Sequence, residues 1–138
     1  MLTSILRSTG SIAISLIMAL ILVIAVEWLS SLLHPFPPGF DATSTAMYEH
    51  VGNYPIWVLA LLGGAGWGIT MLVATWLATR LGTGRHPAHG VVVGVILLAA
   101  VVFNMSMLPY PLWFMLLDLV LLPVAAYYGI RLGGKGNW

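Results

Sequence analysis

Charged residues are scarce in this sequence, and cysteine is absent from it. The 138 residues include five Lys or Arg and four Asp or Glu, so that only 7% of the chain is charged, whereas a soluble domain has about 25%. This composition excludes a sizeable water-soluble catalytic domain, a disordered tail and a nucleic-acid-binding domain with a basic patch. The lack of cysteine excludes disulfides, thiolate metal sites and thiol catalysis.

Hydrophobic residues dominate the chain. They make up 60% of it, and the mean hydropathy is +1.00. They form four apolar runs, each long enough to cross a hydrocarbon core of about 30 Å as a helix; an isolated strand in lipid would leave its backbone groups unpaired. We therefore predict an all-α, polytopic membrane protein with a single four-helix domain over residues 1–138, whose spans are residues 11–33, 55–80, 90–108 and 112–132.

The basic residues predict the orientation of these spans. They lie before the first span, between the second and third, or after the fourth, and they are Arg7, Arg80, Arg85, Arg131 and Lys135. The longer first loop has Asp41 and Glu49 but no Lys or Arg. Because basic residues stay on the cytoplasmic side of a membrane, both termini are predicted to be cytoplasmic (N-in/C-in).

Aromatic residues gather near the predicted span ends, where amphipathic rings prefer the membrane interfaces. Trp28 and Trp113 fall near the predicted outer interface, and Trp76 and Trp138 near the inner one. Trp67 lies in the middle of the second span. We expect it to pack between helices.

Proline marks the predicted outer ends of the spans. Three prolines within residues 35–38 end the first span, since proline cannot continue a helix and fixes its own backbone torsion. Residues 42–54 are expected to form a short helix on the outer surface. Pro109 and Pro111 leave almost no loop between the third and fourth spans, so these helices are predicted to form a tight antiparallel hairpin.

Small residues predict where helices approach one another. Gly64 and Gly68 in the second span, and Gly90 and Gly94 in the third, are each four residues apart. This spacing is typical of helix-pairing faces, which in lipid depend on close packing. It does not distinguish a contact inside the bundle from a contact with another subunit.

Three polar side chains fall inside the predicted hydrocarbon layer: Glu27, Asn104 and Asp118. All three lie in its outer half, where an acid costs about 2–3 kcal/mol and no Lys or Arg is available at the same depth. His34 lies seven residues after Glu27, on the same helical stripe. If the first, third and fourth spans meet there, we expect Glu27, His34, Asn104 and Asp118 to surround one small polar pocket.

Three interpretations of this pocket remain open. It is a site for a proton, a cation or a small polar ligand, or a hydrogen-bonded cluster that holds helices together, or a place where an acid faces a basic group of a partner subunit. His86 and His89, three residues apart, are expected to be solvated loop residues, because further metal ligands are not evident near them. We predict no metal and no cofactor.

Parts of the chain resemble a family. They are Glu27, the proline-rich residues 35–41, and Asn104 together with residues 109–114. They resemble an uncharacterised family of small bacterial four-helix inner-membrane proteins, over most of the chain from the first helix to the region of Gly129. The resemblance implies a four-helix fold and a multi-pass location in the bacterial cytoplasmic (inner) membrane, but no activity. Tyr110 stands where the family has a histidine, so a role of that histidine would not transfer.

Two functions are weighed against each other. The first is an accessory or structural subunit of a larger membrane complex, favoured by the short loops and the small-residue helix faces. The alternative is a small proton- or cation-coupled transporter or channel that acts as an oligomer through Glu27 and Asp118. An enzyme is not predicted, because the sequence has no recognisable nucleophile–base pair or metal-binding motif. The expected partners are the lipid bilayer and other membrane subunits or further copies of the chain, and not nucleic acid.

Overall fold

The computed structural model of the protein describes residues 1–135; Trp138, predicted at the inner interface, lies outside the described residues. Within them the chain is helical and has no strand. The helices are α1 (Leu2–Leu33), α2 (Ser44–Gly52), α3 (Ile56–Leu81), α4 (Pro87–Met107) and α5 (Leu112–Gly133).

Four of these helices, α1, α3, α4 and α5, are long and apolar enough to cross a membrane. They confirm the four predicted runs, with ends that agree to within three residues except at the start of α1. This helix begins at Leu2 and not near residue 11. Its first turns contain Ser and Thr, which lower the hydropathy and so conceal the start of the helix. Their hydroxyls bond to backbone carbonyls of the preceding turn, as Thr9 does to Ile5 at 2.5 Å, and these polar groups are thereby satisfied within the helix.

The helix α3 lies at the centre of the bundle. It packs against α1, α4 and α5, and half of its most apolar stretch is buried, compared with 11% for α1. Trp67 of α3 is 7% exposed and meets the rings of Tyr110 and Phe114. The expectation that this mid-span tryptophan packs between helices is therefore confirmed.

One end of the bundle carries a short turn, Thr83–Arg85, between α3 and α4, and we call it the turn end. Since the long helices alternate in direction, this end has all five basic residues of the described chain, while all four acidic residues lie in the other half. The helix α2 covers that other end, which we call the α2 end.

Hydrogen bonds tie the turn end to the first turns of α1. The Ser8 hydroxyl donates to Thr83 Oγ1 at 3.1 Å, and the Thr83 hydroxyl donates to the Ser4 carbonyl at 2.9 Å. His89 contacts Ser8 Oγ through Nε2 and the His86 carbonyl through Nδ1, each at 2.9 Å. His89 is therefore a connecting residue, and its expected role as a solvated loop residue is wrong: α1 begins early enough to reach it.

The expected short helix in the first loop is confirmed as α2. The Thr43 side chain caps it by accepting a hydrogen bond from the Ala46 amide at 3.2 Å. Val51 is 5% exposed and belongs to the core with Met105 and Tyr110. Thus α2 packs on the α4–α5 hairpin through Val51.

A π-helical segment, Ala60–Trp67, interrupts α3. The hydrogen bonds of a π-helix join residues five apart and not four, so each residue of this segment points in a different direction from the one that a regular α-helix would give it. A methyl group at Gly64 would meet open space, whereas one at Gly63 would collide with Asp118 and Phe114. Gly64 is therefore not a contact glycine inside the bundle, and its contact with another subunit stays a prediction.

The other predicted packing glycines lie at helix contacts. A methyl group at Gly68 would touch Leu121 at 3.7 Å, one at Gly94 would touch Thr75 at 3.4 Å, and one at Gly90 would collide with Thr79. The α3–α5 contact depends on two further glycines, which are also four residues apart: Gly129 and Gly133. Spacing alone could have found this pair.

Candidate functional site

A cavity of about 240 Å³ lies between α1, α3 and α4 and is the candidate site. Glu27 of α1 and Asn104 of α4 line it from two sides, and Leu122 of α5 contributes to its wall. From α3 it receives Trp67, Thr70 and Met71, and its remaining walls are aliphatic residues of α1 and α4. Glu27 is an exposed residue, so the cavity opens to the outside of the bundle beside α1.

The polar groups of this cavity include hydrogen-bond acceptors without a partner. Asn104 Oδ1 is enclosed and has no hydrogen-bond partner. The Thr70 hydroxyl is occupied, because it donates to the Gly66 carbonyl at 2.8 Å. Among the lining residues there is no Lys, Arg or His. A group that enters the cavity therefore meets a carboxyl and an amide oxygen in mostly apolar surroundings.

Asp118 lies outside this lining. It is fully buried on α5, both of its carboxyl oxygens lack a hydrogen-bond partner, and it packs beside Gly63 of the π-helical segment. The ring of Phe114, one turn earlier on α5, lies beside the same glycine and contacts the Trp67 ring with a centroid distance of 5.6 Å. The two aromatic rings thus connect the cavity wall to the surroundings of Asp118.

His34 belongs to an aromatic group at the α2 end. Its ring centroid lies 4.7 Å from that of His50 and 5.1 Å from that of Tyr54. His50 also meets Phe36 at 4.4 Å, and its Nε2 is buried without a partner. Burial lowers the pKa of His50, and the positive charge of His34 lowers it further, against a smaller opposing hydrogen-bond effect. We call the rings of His34, Phe36, Phe40, His50 and Tyr54 the aromatic cap.

Tyr110, in the link between α4 and α5, is a buried residue that was not among the predicted site residues. It is 8% exposed and stacks on Phe114 with a centroid distance of 5.1 Å. Burial raises the pKa of its phenol, and the negative charges of Glu27, Tyr54 and Asp118 add to that rise. Tyr110 therefore lies within electrostatic reach of both acids of the bundle. The available sequence signal was its position between Pro109 and Pro111, because the two prolines fix the backbone and so the place at which the Tyr110 ring enters the bundle.

The four predicted site residues thus occupy three neighbouring environments. Glu27 and Asn104 share the cavity, Asp118 is enclosed between α5 and α3, and His34 lies in the aromatic cap. The structure does not bring all four around one pocket, because α3 and not α1 is the neighbour of Asp118. In the part of the chain that the structure describes, no group of three or more His, Cys, Asp and Glu could hold a metal ion.

Comparisons of the chain with models of known protein families, with curated proteins and with solved structures gave no match.

Proposed function

We propose that the chain is a four-span protein of the bacterial cytoplasmic membrane with both termini in the cytoplasm. Its four apolar helices and the separation of five basic residues at the turn end from four acidic residues in the other half support this orientation. The resemblance to small bacterial inner-membrane proteins supports the location. The α2 end then faces away from the cytoplasm.

Within this frame we propose that the protein is a small transporter, working as an oligomer, that binds a cationic solute or a proton at Glu27 and Asn104. One observation carries the proposal: the cavity of about 240 Å³ presents a carboxyl and an enclosed, unpartnered amide oxygen, and no basic side chain lines it. Ionisable groups inside a membrane typically mark ion or substrate pathways. Because the cavity opens at the side of the bundle, a second copy is needed to complete a pathway.

Reconstitution into liposomes tests the proposal. With a pH-sensitive dye inside and an imposed pH gradient, we expect proton or solute-coupled proton flux for the wild-type protein. Glu27→Gln, which removes the charge and keeps the shape, should abolish it. Asp41→Asn is the matched control, because Asp41 is an exposed loop acid outside the cavity. Equal flux for Glu27→Gln and the wild type, or none for the wild type, would contradict the proposal.

A second candidate function is an accessory subunit of a larger membrane complex. The exposure of Glu27 on α1, the helix with the least buried apolar stretch at 11%, favours it. A basic residue of a neighbouring subunit could reach this acid from the lipid side and neutralise it. Native purification in mild detergent separates the two functions: co-migration with other proteins supports the subunit, and a small homo-oligomer with flux supports the transporter.

A further inference from the structure

We infer that the solute bound between Glu27 and Asn104 is an organic monoamine: one protonated amino group attached to a small apolar body. This inference deepens the proposed transport function, and it rests on the chemistry of the cavity walls. Charge, hydrogen bonding and volume each restrict the ligand independently.

Charge selects a cation. The cavity has one carboxyl, and no Lys, Arg or His lines it to balance an anion. A charge buried in apolar surroundings is costly unless it is paired. Glu27 supplies one pairing partner for one ammonium group. A diamine would leave its second ammonium among apolar walls, so a monoamine fits better.

Hydrogen bonding selects a donor-bearing head group. Asn104 Oδ1 accepts hydrogen bonds and has no partner, and the Thr70 hydroxyl already donates to the Gly66 carbonyl. An ammonium carries only donors. It can therefore bond to the Glu27 carboxylate and to Asn104 Oδ1 at once, whereas a quaternary ammonium, which has no N–H, would leave Oδ1 unpartnered.

The remaining walls select an apolar body. Trp67, Met71 and Leu122 face the cavity with aromatic, thioether and aliphatic surface. Indole rings attract cations, and thioethers pack well against aromatic rings. Small divalent cations take about six or more oxygen ligands, including water, whereas the side chains of the cavity offer oxygen only at Glu27, Asn104 and Thr70.

Volume limits the size of the body. A dry cavity of about 150 Å³ holds benzene, while pockets for drug-sized molecules have about 300–1,000 Å³. At about 240 Å³, the cavity takes one ring with a short chain. Phenethylamine is therefore a suitable probe.

Titration calorimetry on the intact protein in detergent micelles or nanodiscs tests the inference. We expect saturable binding of phenethylamine and affinities lower by about tenfold or more for phenethyl alcohol, hydrocinnamate and para-xylylenediamine, which replace the amine by a neutral group, an anion and a diamine. Glu27→Gln should lose about tenfold or more of the phenethylamine affinity, and Asp41→Asn should lose none.

A second pair of variants keeps the test valid if Glu27→Gln does not fold. Ala99 and Ala100 are neighbouring exposed residues of α4, and only Ala100 lines the cavity. Ala100→Phe should fill the cavity and abolish binding with Glu27 intact, whereas Ala99→Phe should bind as the wild type does. Equal binding by both variants would overturn the inference.

Several results would refute the monoamine specifically. These are equal affinity for phenethyl alcohol, tighter binding of the diamine, and no binding of any amine by a folded wild-type protein. Proton flux in liposomes without amine binding would leave the transport function standing and remove this inference. Amine binding without any flux would leave this inference standing and contradict the transport function.

Discussion

The two ends of the bundle treat their polar side chains differently. At the turn end they are paired: Arg7 Nε donates to the Leu81 carbonyl at 2.9 Å, and Ser8 lies in contact with both Thr83 and His89. The buried side-chain atoms without a partner, among residues 1–135, lie toward the α2 end, and they belong to Ser30, His50, Asn104 and Asp118.

This difference separates side chains that stabilise the fold from side chains that can bind a ligand. A satisfied hydrogen bond stabilises a fold by about 1 kcal/mol, while a buried polar group without a partner costs about 1–3 kcal/mol. The network at the turn end joins α1 to the α3–α4 turn and fixes how these helices meet. The unpartnered groups toward the α2 end add no such stability, and one of them, Asn104 Oδ1, lines the cavity and is available to a ligand.

The largest expected effect comes from filling the space beside Asp118. Gly63→Ala should lower the free energy of unfolding by about 1–3 kcal/mol, the usual cost of overpacking a core, because its methyl group would collide with the Asp118 carboxyl and the Phe114 ring. Gly64→Ala is the matched control and should change stability little, since its methyl group meets open space. Thermal unfolding in detergent measures both. Equal losses of stability for the two variants would mean that Gly63 does not lie on the packing face of α3.

Removing a polar group should have opposite effects at the two ends. Asp118→Val should raise the free energy of unfolding by about 1–3 kcal/mol, because it replaces an unpartnered buried carboxyl by an apolar side chain. Ser8→Ala should lower it by about 1 kcal/mol, because it removes the contacts to Thr83 and His89. Denaturant titration measures both. A loss for Asp118→Val would mean that the carboxyl stabilises the fold.

The smallest expected effect is a pH dependence of the aromatic cap. The pKa of His50 is lowered from its ordinary value of 6.5, mainly by burial and also by His34. The unfolded cap therefore binds protons more readily than the folded one, and the stability present above about pH 6.5 is lost as the pH falls toward the folded pKa. Hydrogen exchange of α2 amides, measured relative to the intrinsic exchange rate at each pH, should accelerate over that range.

Two variants check the origin of this pH dependence. His50→Phe keeps an aromatic ring beside Phe36 and Tyr54 but cannot titrate, so it should remove most of the acceleration. Glu49→Gln changes an exposed neighbour on α2 and should leave the acceleration intact. If His50→Phe keeps the full pH dependence, His34 or another group is responsible.

The sequence predicts the long helices well, because hydropathy is a local property and each apolar run is bounded by proline, glycine or basic residues. The hairpin at residues 109–111 and the helix α2 follow from equally local signals. Which helix occupies the centre is a property of the whole assembly. The abundance of small residues in α3 indicates close packing, but it does not indicate that three other helices pack against α3.

The candidate site is predictable only in part. Glu27, Asn104 and Asp118 are conspicuous because polar residues are rare in apolar runs, and two of them do meet at a cavity. Asp118 is separated from Glu27 and Asn104 because it packs against Gly63 of α3, and which helices meet is a property of the assembled bundle. The contacts of His50 and Tyr110 depend on how the loop folds back, and single residues in loops carry little information about that.

The π-helical segment of eight residues also divides α3 into two α-helical parts. The rotation of one part relative to the other depends on how the segment is hydrogen-bonded. One residue corresponds to about 100° of rotation along an α-helix, so a slip of the segment into α-helical bonding would turn one half about the axis relative to the other. Trp67 stands at the last position of the segment, on the cavity wall. Such a slip would change the direction of its indole, so the shape of the cavity wall is coupled to the hydrogen bonding of the α3 backbone.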